Sequence, residues 1–219
     1  MEAERSQILA LGGGASNALD HLIRTGGLAA SLVAVNTDAQ DLRRSLAPTK
    51  LQIGAQLIRG LGCGGDPEVG RDCAFADRPA LGAVLAGAEL VVVLVGLGGG
   101  TGSGVAPVVC EVAGELGGRV LVVATLPYPF EGRRRRRVAD DALAALTEAA
   151  RGRVIVAETP TPPESEARVT MQELFARSDS AMATLVRGAL DIADGGSGDT
   201  LELGVAAAVR AHLAAPGRD

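Results

Sequence analysis

Residues 90–104 read LVVVLVGLGGGTGSG, an apolar run followed directly by a glycine-rich segment. Residues 90–95 are all apolar, which is typical of a strand buried on both faces of a parallel sheet. A segment with helical periodicity begins at Val105, after seven positions that hold five glycines and two hydroxyl residues. Backbone N–H groups in such a turn, placed before a helix, form an anion-binding concavity. The sequence therefore predicts a phosphate-binding loop between a buried strand and a helix.

Similar patterns recur along the chain and predict the fold class. Short apolar runs lie at 7–11, 31–35, 90–95, 120–124 and 154–157, and helical periodicity lies at 17–24, 78–86, 105–116, 137–150 and 172–192. Strands that alternate with helices through short connections are typical of a three-layer α/β fold. We predict a mostly parallel, doubly wound, Rossmann-like sheet, with ligands at the carboxyl ends of the strands.

Composition excludes several classes of protein. The chain has 219 residues, of which 47% are hydrophobic and only 2% aromatic, so it can bury a core built from Ala, Val, Leu and Ile. A net charge of −5 argues against general nucleic-acid binding. The apolar runs are too short to cross a bilayer, and three scattered cysteines favour a reducing compartment. We expect a soluble cytoplasmic protein without a nucleic-acid or membrane partner.

Basic residues restrict the kind of phosphate site. The chain has 21 Lys and Arg residues, and Lys50 is its single lysine. A Walker A loop requires the tripeptide Gly-Lys-Ser/Thr, which is absent from the sequence. A phosphate site in this chain must therefore rely mainly on backbone N–H groups and helix ends.

Three further segments follow predicted strands or lie near them. Residues 12–17, GGGASN, could form a second phosphate loop or only a tight turn. Asp38 could contact a ribose hydroxyl or cap the next helix, and the residues alone favour the cap. Residues 61–71 are predicted to be a mobile loop that could cover phosphates. Residues 160–166 are predicted to be a loop, and glycines at 195–198 to end the last helix.

The GGGTGSG segment resembles the signature of the tubulin/FtsZ GTPases, and the chain is more similar to bacterial FtsZ than to tubulin. Other segments match in the family's order and at its spacing. They are NTDAQ at 36–40, LQIG at 51–54, RGLG at 59–62, PEVGR at 67–71, APV at 106–108 and PFEGR at 129–133. The resemblance is strong over residues 8–137 and weak as far as residue 193.

This resemblance implies a domain organisation and a ligand. Residues 1–194 would form a tubulin/FtsZ-type GTP-binding domain that includes the long last helix. Residues 195–219 would be the remnant of a catalytic loop and a short tail, without the family's second domain. The ligand would be GTP or GDP; a Mg²⁺ ion beside the phosphates stays open, and no residue is assigned as a metal ligand.

The family's nucleotide-binding residues map onto specific positions of this chain. They are Gly13, Gly14, Ala15, Ser16, Asn17, Gly64, Gly98, Gly99, Gly100, Thr101, Gly102, Ser103, Gly104, Glu131, Arg135 and Asp179. The family has glycines where this chain has Ala15 and Ser16, so close backbone approach there is less secure. Glu131 falls at the position of a ribose-binding acid and Arg135 at that of a basic ligand contact. The other arginines of 133–137 are expected to be a solvated helix start.

Two parts of the family pattern are altered. Glu158 replaces an Asn that contacts the nucleoside, and Ser180 occupies the position of the guanine-reading Asp. Asp179 precedes it by one residue, which turns a side chain by about 100° on a helix. The family's catalytic motif, Asn-x-Asp-x-x-Asp, acts across a subunit interface and maps onto Thr200, Glu202 and Val205. Glu202 alone keeps a carboxylate and is the candidate catalytic residue.

Three functional hypotheses follow. The first is a GTP-binding FtsZ-like protein, linked to cell division or filament assembly, with weak or partner-dependent hydrolysis. Its nucleotide face would meet another copy or a full-length FtsZ-type subunit. The second is a non-hydrolysing nucleotide-binding regulator or scaffold that caps or modulates FtsZ-type filaments. The third is a Rossmann dinucleotide enzyme using Gly12, Gly14 and Asp38, which is disfavoured because Asn17 occupies the third glycine position.

Overall fold

A computed structural model describes residues 6–151, 153–157, 169–199, 206, 209 and 210. Within these residues the strands are β1 (Ser6–Leu11), β2 (Ser31–Asn36), β3 (Thr49–Gln52), β4 (Leu90–Gly96), β5 (Arg119–Thr125) and β6 (Val154–Ala157). The helices are α1 (Gly12–Thr25), α2 (Ala39–Arg44), α3 (Ala55–Ile58), α4 (Pro67–Ala76), α5 (Arg78–Leu85), α6 (Gly100–Glu115), α7 (Arg133–Ala149) and α8 (Met171–Ala193). A short 3-10 turn at Pro129–Glu131 precedes α7.

The strands form one parallel sheet in the order β3-β2-β1-β4-β5-β6. The chain winds outward from β1 to β3, crosses to the other side of β1, and winds outward again from β4 to β6. Leu11 lies opposite Val95 at the ends of β1 and β4, so the segments that follow these strands leave the sheet at the same level. The predicted doubly wound fold is confirmed, and its switch point lies between β1 and β4.

Each face of the sheet is covered by helices. Along β1, Leu9 and Leu11 contribute to the core under α4, α5, α6 and α7, whereas Ile8 and Ala10 contribute to the core under α1 and α8. The largest fully buried side chains are all leucines and isoleucines, as the low aromatic content predicts. The layers are therefore helix, sheet and helix.

Several elements escape prediction, among them β3, the short helix α3 and α4, because their signals are local or weak. β3 is an edge strand in which only Leu51 is half-buried, so no apolar run marks it. The prediction of a loop over residues 61–71 is wrong from Pro67 onward, where α4 begins. Asp66 caps this helix by accepting the Glu68 N–H at 2.9 Å, and Pro67 occupies its first turn.

The two glycine-rich segments are also more helical than predicted. α1 begins at Gly12 and α6 at Gly100, so most of each expected loop is the first part of a helix. Packing offsets the poor helix propensity of glycine in α6. A Cβ on Gly104 would overlap the Pro67 carbonyl oxygen and lie 2.7 Å from the Arg71 nitrogen, so glycine lets α6 approach α4 closely.

Remaining expectations concern the chain ends and the cysteines. α8 ends at Ala193 and Gly195 follows with φ +88, as the glycines at 195–198 predict. The loop predicted at 160–166 lies outside the described residues. The three cysteines are free and buried. In the described part of the chain, no helix is long and apolar enough to cross a membrane.

Replacing Gly104 with Ala tests the contact between α4 and α6. The added methyl has no space, so the Gly104→Ala variant is expected to lose about 1–3 kcal/mol of unfolding free energy, measured by urea denaturation. Gly114→Ala is the matched control in the same helix. No atom lies within 4 Å of its Cβ position, so this variant is expected to be unchanged or up to about 1 kcal/mol more stable. Equal stability of the two variants would contradict the packing account.

Candidate functional site

A cavity opens at the switch point, along the carboxyl ends of β1, β4 and β5. It has a volume of about 250 Å³, and α8 forms one of its walls. The lining residues are Leu11, Gly12, Gly13, Gly14, Asn17, Gly96, Leu97, Gly99, Gly100, Thr101, Gly102, Thr125, Leu126, Pro127, Tyr128, Glu131, Arg135, Phe175, Ser178, Asp179 and Met182.

Two helix N-termini meet at this cavity. α1 follows β1 and α6 follows β4, and the first residues of both helices line it. Among the described residues, no side chain caps either helix at Leu11 or Gly99. The first N–H groups of a helix have no partner within it, and the helix dipole adds partial positive charge there. The cavity is therefore built to hold an anion by backbone groups, without lysine.

The constraints that favour glycine differ from one position of the glycine-rich segments to the next. Gly98 has φ +94, and Cβ atoms on Gly100 and Gly102 would lie 2.6 Å from Cys63 Cβ and from the Gly96 carbonyl oxygen, respectively. Gly14 and Gly99 differ, because no atom lies within 4 Å of their Cβ positions and neither has a positive φ. Neither packing nor backbone conformation requires glycine at these two positions. Their missing side chains leave the cavity open to the backbone.

Hydroxyl side chains fix the shape of the α6 turn. The Gly98 N–H donates to Ser103 Oγ at 2.9 Å, which closes the turn on itself. Thr101 Oγ1 shares a 2.7 Å hydrogen bond with Thr37 Oγ1, which joins the turn to the segment after β2. The turn is held by the protein itself before any ligand binds.

The sequence-predicted site residues divide into two groups. Those that line the cavity are Gly13, Gly14, Asn17, Gly99, Gly100, Thr101, Gly102, Glu131, Arg135 and Asp179. Those that do not are Ala15, Ser16, Gly64, Gly98, Ser103 and Gly104. Ala15 and Ser16 are buried, and Ser16 Oγ donates to the Gly12 carbonyl at 3.0 Å. Their side chains therefore pack inside the protein and do not line the cavity.

Glu131 and Arg135 form an ion pair at one side of the cavity. The Arg135 guanidinium lies 2.8 Å from Glu131 Oε2, and the Tyr128 N–H donates to Glu131 Oε1 at 2.8 Å. The Glu131 side chain is only 10% exposed, whereas that of Arg135 is 51% exposed. The acid is thus held in place, and the guanidinium remains accessible.

An aromatic cluster, which the sequence reasoning missed, stands beside this pair. Tyr128 stacks on Phe130 with ring centroids 5.2 Å apart, and Phe175 meets Tyr128 edge-on at 5.9 Å. The Tyr128 hydroxyl donates to the Leu174 carbonyl at 2.9 Å and pairs with Ser178 at 2.8 Å, which fixes it against α8. The chain has one Tyr, three Phe and no Trp, so the rarity of aromatics is the signal that could have revealed the cluster.

Asp179 brings a carboxylate into the cavity from α8. Burial raises its pKa to about 6, and among the described residues it has no hydrogen-bond or ion-pair partner. Ser180, one residue later, lines the neighbouring groove between α1 and α8 instead. The residue before the family's guanine-reading position therefore carries the acid that faces the cavity.

Asp38 is a helix cap. Its Oδ1 accepts the N–H groups of Gln40 at 2.7 Å and Asp41 at 3.2 Å. The prediction of a cap is confirmed, and the dinucleotide hypothesis loses its ribose-binding acid. Glu158 and the three positions of the catalytic motif, Thr200, Glu202 and Val205, lie outside the described residues.

No three His, Cys, Asp or Glu side chains among the described residues come together as a possible metal site. The cavity suits an anion instead, because two uncapped helix N-termini and two unobstructed glycines face one space.

The fold and the cavity define a doubly wound α/β protein with its ligand site at the switch point. A family model described as "Tubulin/FtsZ family, GTPase domain" matches residues 7–158. The chain belongs to this family. It is similar to the cell division protein FtsZ of Pseudomonas aeruginosa, with 38% identity over 186 residues, 85% of this chain and 47% of that protein.

Solved structures agree with this membership. An FtsZ dimer from M. jannaschii superposes with a TM-score of 0.79 and 32% identity, covering 86% of this chain and 55% of that one. A protofilament of CetZ2 from Haloferax volcanii with bound GTPγS gives a TM-score of 0.75 at 27% identity, covering 87% of this chain and 59% of that one. This chain spans about half the length of the FtsZ relatives that it matches in sequence.

Asp179→Asn tests the burial of this carboxylate. Its pKa rises from 3.8 to about 6 on folding, so burying the charge costs stability above pH 6 and nothing below about pH 4. Asparagine removes the charge at the same size. Because the side chain is partly exposed, the free energy of unfolding of the variant is expected to exceed that of the native chain by only about 1–2 kcal/mol at pH 8. This difference should vanish at pH 4.

The measurement is urea denaturation across this pH range. Glu89→Gln, at an exposed position, is the matched control and should leave the pH profile unchanged. An Asp179→Asn profile parallel to that of the native chain would show that the carboxylate is fully hydrated in the folded protein.

Proposed function

We propose that this FtsZ-like, tubulin-family GTPase domain binds GTP or GDP in the cavity between β1 and β4. The observation that carries this proposal is the convergence of two uncapped helix N-termini on one space, beside Gly14 and Gly99. The phosphates would lie against the N–H groups of α1 and α6, which suit a ligand of high negative charge. Arg135 stands near enough to the cavity to add a positive charge.

The wall formed by Tyr128, Phe175 and Asp179 supports a purine at the other end of the cavity. An aromatic edge suits a flat base, and an unpaired carboxylate suits two neighbouring N–H donors. Guanine presents such donors at its ring N–H and its amino group, whereas adenine lacks the ring N–H. Asp179 therefore favours guanine, although it is not at the family's usual position. Asn17 also lines this cavity.

We also propose that hydrolysis by this chain is weak or depends on a partner. Val205 has no polar atom to orient water, and Glu202 offers a longer carboxylate than the family's Asp. Phosphoryl transfer depends mainly on positioning and electrostatics, so a partner that supplies an intact catalytic loop could restore the rate. Such a partner would be a full-length FtsZ-type subunit, because another copy of this chain brings the same altered motif. This partner links the protein to cell division or filament assembly.

A second candidate function is a nucleotide-binding regulator or scaffold that never hydrolyses GTP. The valine at position 205 favours this candidate too, because a catalytic motif that lacks this carboxylate could not help a partner to hydrolyse GTP. Such a protein would cap or modulate FtsZ-type filaments through its nucleotide face. The two candidates differ in whether GTP turnover rises when a complete partner is present.

Gly99→Val tests the phosphate site. Gly99 has extended backbone angles, φ −104 and ψ 172, which valine adopts readily, and its Cβ position is open. Valine is therefore expected to fill the phosphate end without loss of stability. In a titration with fluorescent GTP, Kd should rise at least about tenfold, whereas Gly114→Ala should bind like the native chain. Native affinity in the Gly99→Val variant would refute this placement of the phosphates.

GTP turnover distinguishes the two candidates. Alone, the chain is expected to release phosphate at a rate close to background. With an assembling full-length FtsZ, the partner-dependent GTPase predicts turnover above that of FtsZ alone, whereas the regulator predicts altered light scattering without added turnover. The Gly99→Val variant should have neither effect. An unchanged FtsZ signal over a wide concentration range would exclude both the partner-dependent GTPase and the filament modulator.

A further inference from the structure

Helix α7 carries basic residues in its first turns and acidic residues from its middle onward. It begins with five consecutive arginines at 133–137, all exposed, and continues with Asp140, Asp141 and Glu148. A helix N-terminus is the positive end of the dipole, so the arginines stand where cations are least favoured. The chain as a whole is acidic, with a net charge of −5. The dipole of the helix therefore does not account for this basic segment.

Some of these charges have partners and others do not. Arg135 pairs with Glu131, and Arg136 pairs with Asp140 at 2.9 Å. Arg133, Arg134 and Arg137 have no ion pair among the described residues, and neither does Asp141. Asp141 follows Arg137 by four residues, a spacing that often gives a pair, yet the two are not joined. Both charges remain available to another molecule.

An acidic groove lies beside the second half of α7. It runs between α4, α6 and α7, has a volume of about 510 Å³ and is lined by apolar residues that include Val108, Ala142 and Ala145. Its charged lining residues are the acids Glu68, Glu111, Asp141 and Glu148 and the cation Arg71, and Glu111 is paired with Arg78 at 3.7 Å. Arg71 lies over the Phe75 ring, 5.5 Å from its centre. The groove therefore offers an acidic rim around a surface on which long aliphatic stems can lie.

We propose that two copies of this chain associate through α7, with the helices antiparallel and the arginine segment of each copy over the acidic groove of the other. The arginine segment and the groove acids Asp141 and Glu148 lie on one helix, and the rest of the groove belongs to the same chain, so a single two-fold axis satisfies both contacts at once. Charge complementarity identifies the segment that binds the groove. An acidic groove suits a short cationic segment, and residues 133–137 of a second copy are such a segment. This association does not rest on the proposed function, because groove and arginines 133, 134 and 137 lie outside the nucleotide cavity.

Sedimentation equilibrium measures this association, with three variants of the full chain. The native chain is expected to dimerise at 50 mM salt and to dissociate at 500 mM salt, because salt screens exposed charges. Reversing Arg133, Arg134 and Arg137 to Glu should raise the dimer Kd at least tenfold. Reversing Asp141 and Glu148 to Arg should do the same. Acids at a helix N-terminus suit the dipole, so the first variant is expected to fold normally.

Mixing the two charge-reversed variants is the decisive step. Each alone would be monomeric, but in a mixed pair the acidic segment of one faces the basic groove of the other, and the remaining contact is native. A one-to-one mixture is therefore expected to form a heterodimer. Reversing Arg24, Arg43 and Arg44 to Glu is the matched control, which changes the charge equally and should leave the dimer intact.

Several outcomes would overturn the proposal. A native chain that stays monomeric at 50 mM salt and high concentration would do so, as would a dimer that both charge reversals leave unchanged. A mixture of the two variants that stays monomeric would show that α7 does not form this contact. A monomeric native chain that binds anionic vesicles or nucleic acid through these arginines would assign the segment to a different partner.

Discussion

The close approach of α6 to its surroundings is the constraint on which the site depends. Gly100, Gly102 and Gly104 let this helix lie against the loop before α4, the end of β4 and α4 itself, where any Cβ would collide with backbone or core. Because the contact fixes where α6 begins, it also fixes the direction of its first N–H groups. A phosphate-binding end is thus a consequence of packing as much as of loop composition.

Register in the sheet supplies the second half of the arrangement. β1 and β4 end level with each other, so α1 and α6 start side by side and face one cavity. Two partial positive charges then face the same space, which suits an anion without a lysine. The Glu131–Arg135 pair and the rings of Tyr128 and Phe175 border the same cavity.

Much of this could be predicted from the sequence, and the exceptions have physical causes. Buried strands such as 90–95 were visible because both faces of a parallel sheet are covered. Edge strand β3 is not visible in the sequence, because it buries few side chains. Helix α4 is predicted as a loop, because a local cap and Pro67 decide where it starts. The glycine segments were predicted as loops because their helical form depends on contacts far away in sequence. Of the cavity wall from α8, the family pattern predicts Asp179, whereas Phe175 and Ser178 escape prediction because they meet Tyr128 only after folding.

The central claim is that this cavity holds a guanine nucleotide by its phosphates and base. Release of bound nucleotide from the purified, unfolded protein, followed by chromatographic identification and competition with added ATP, tests it most directly. The account predicts GDP or GTP, bound at about one per chain, with ATP unable to displace it at equal concentration. Protein that carries no guanine nucleotide and fails to bind added GTP, or that binds ATP equally well, would contradict the account.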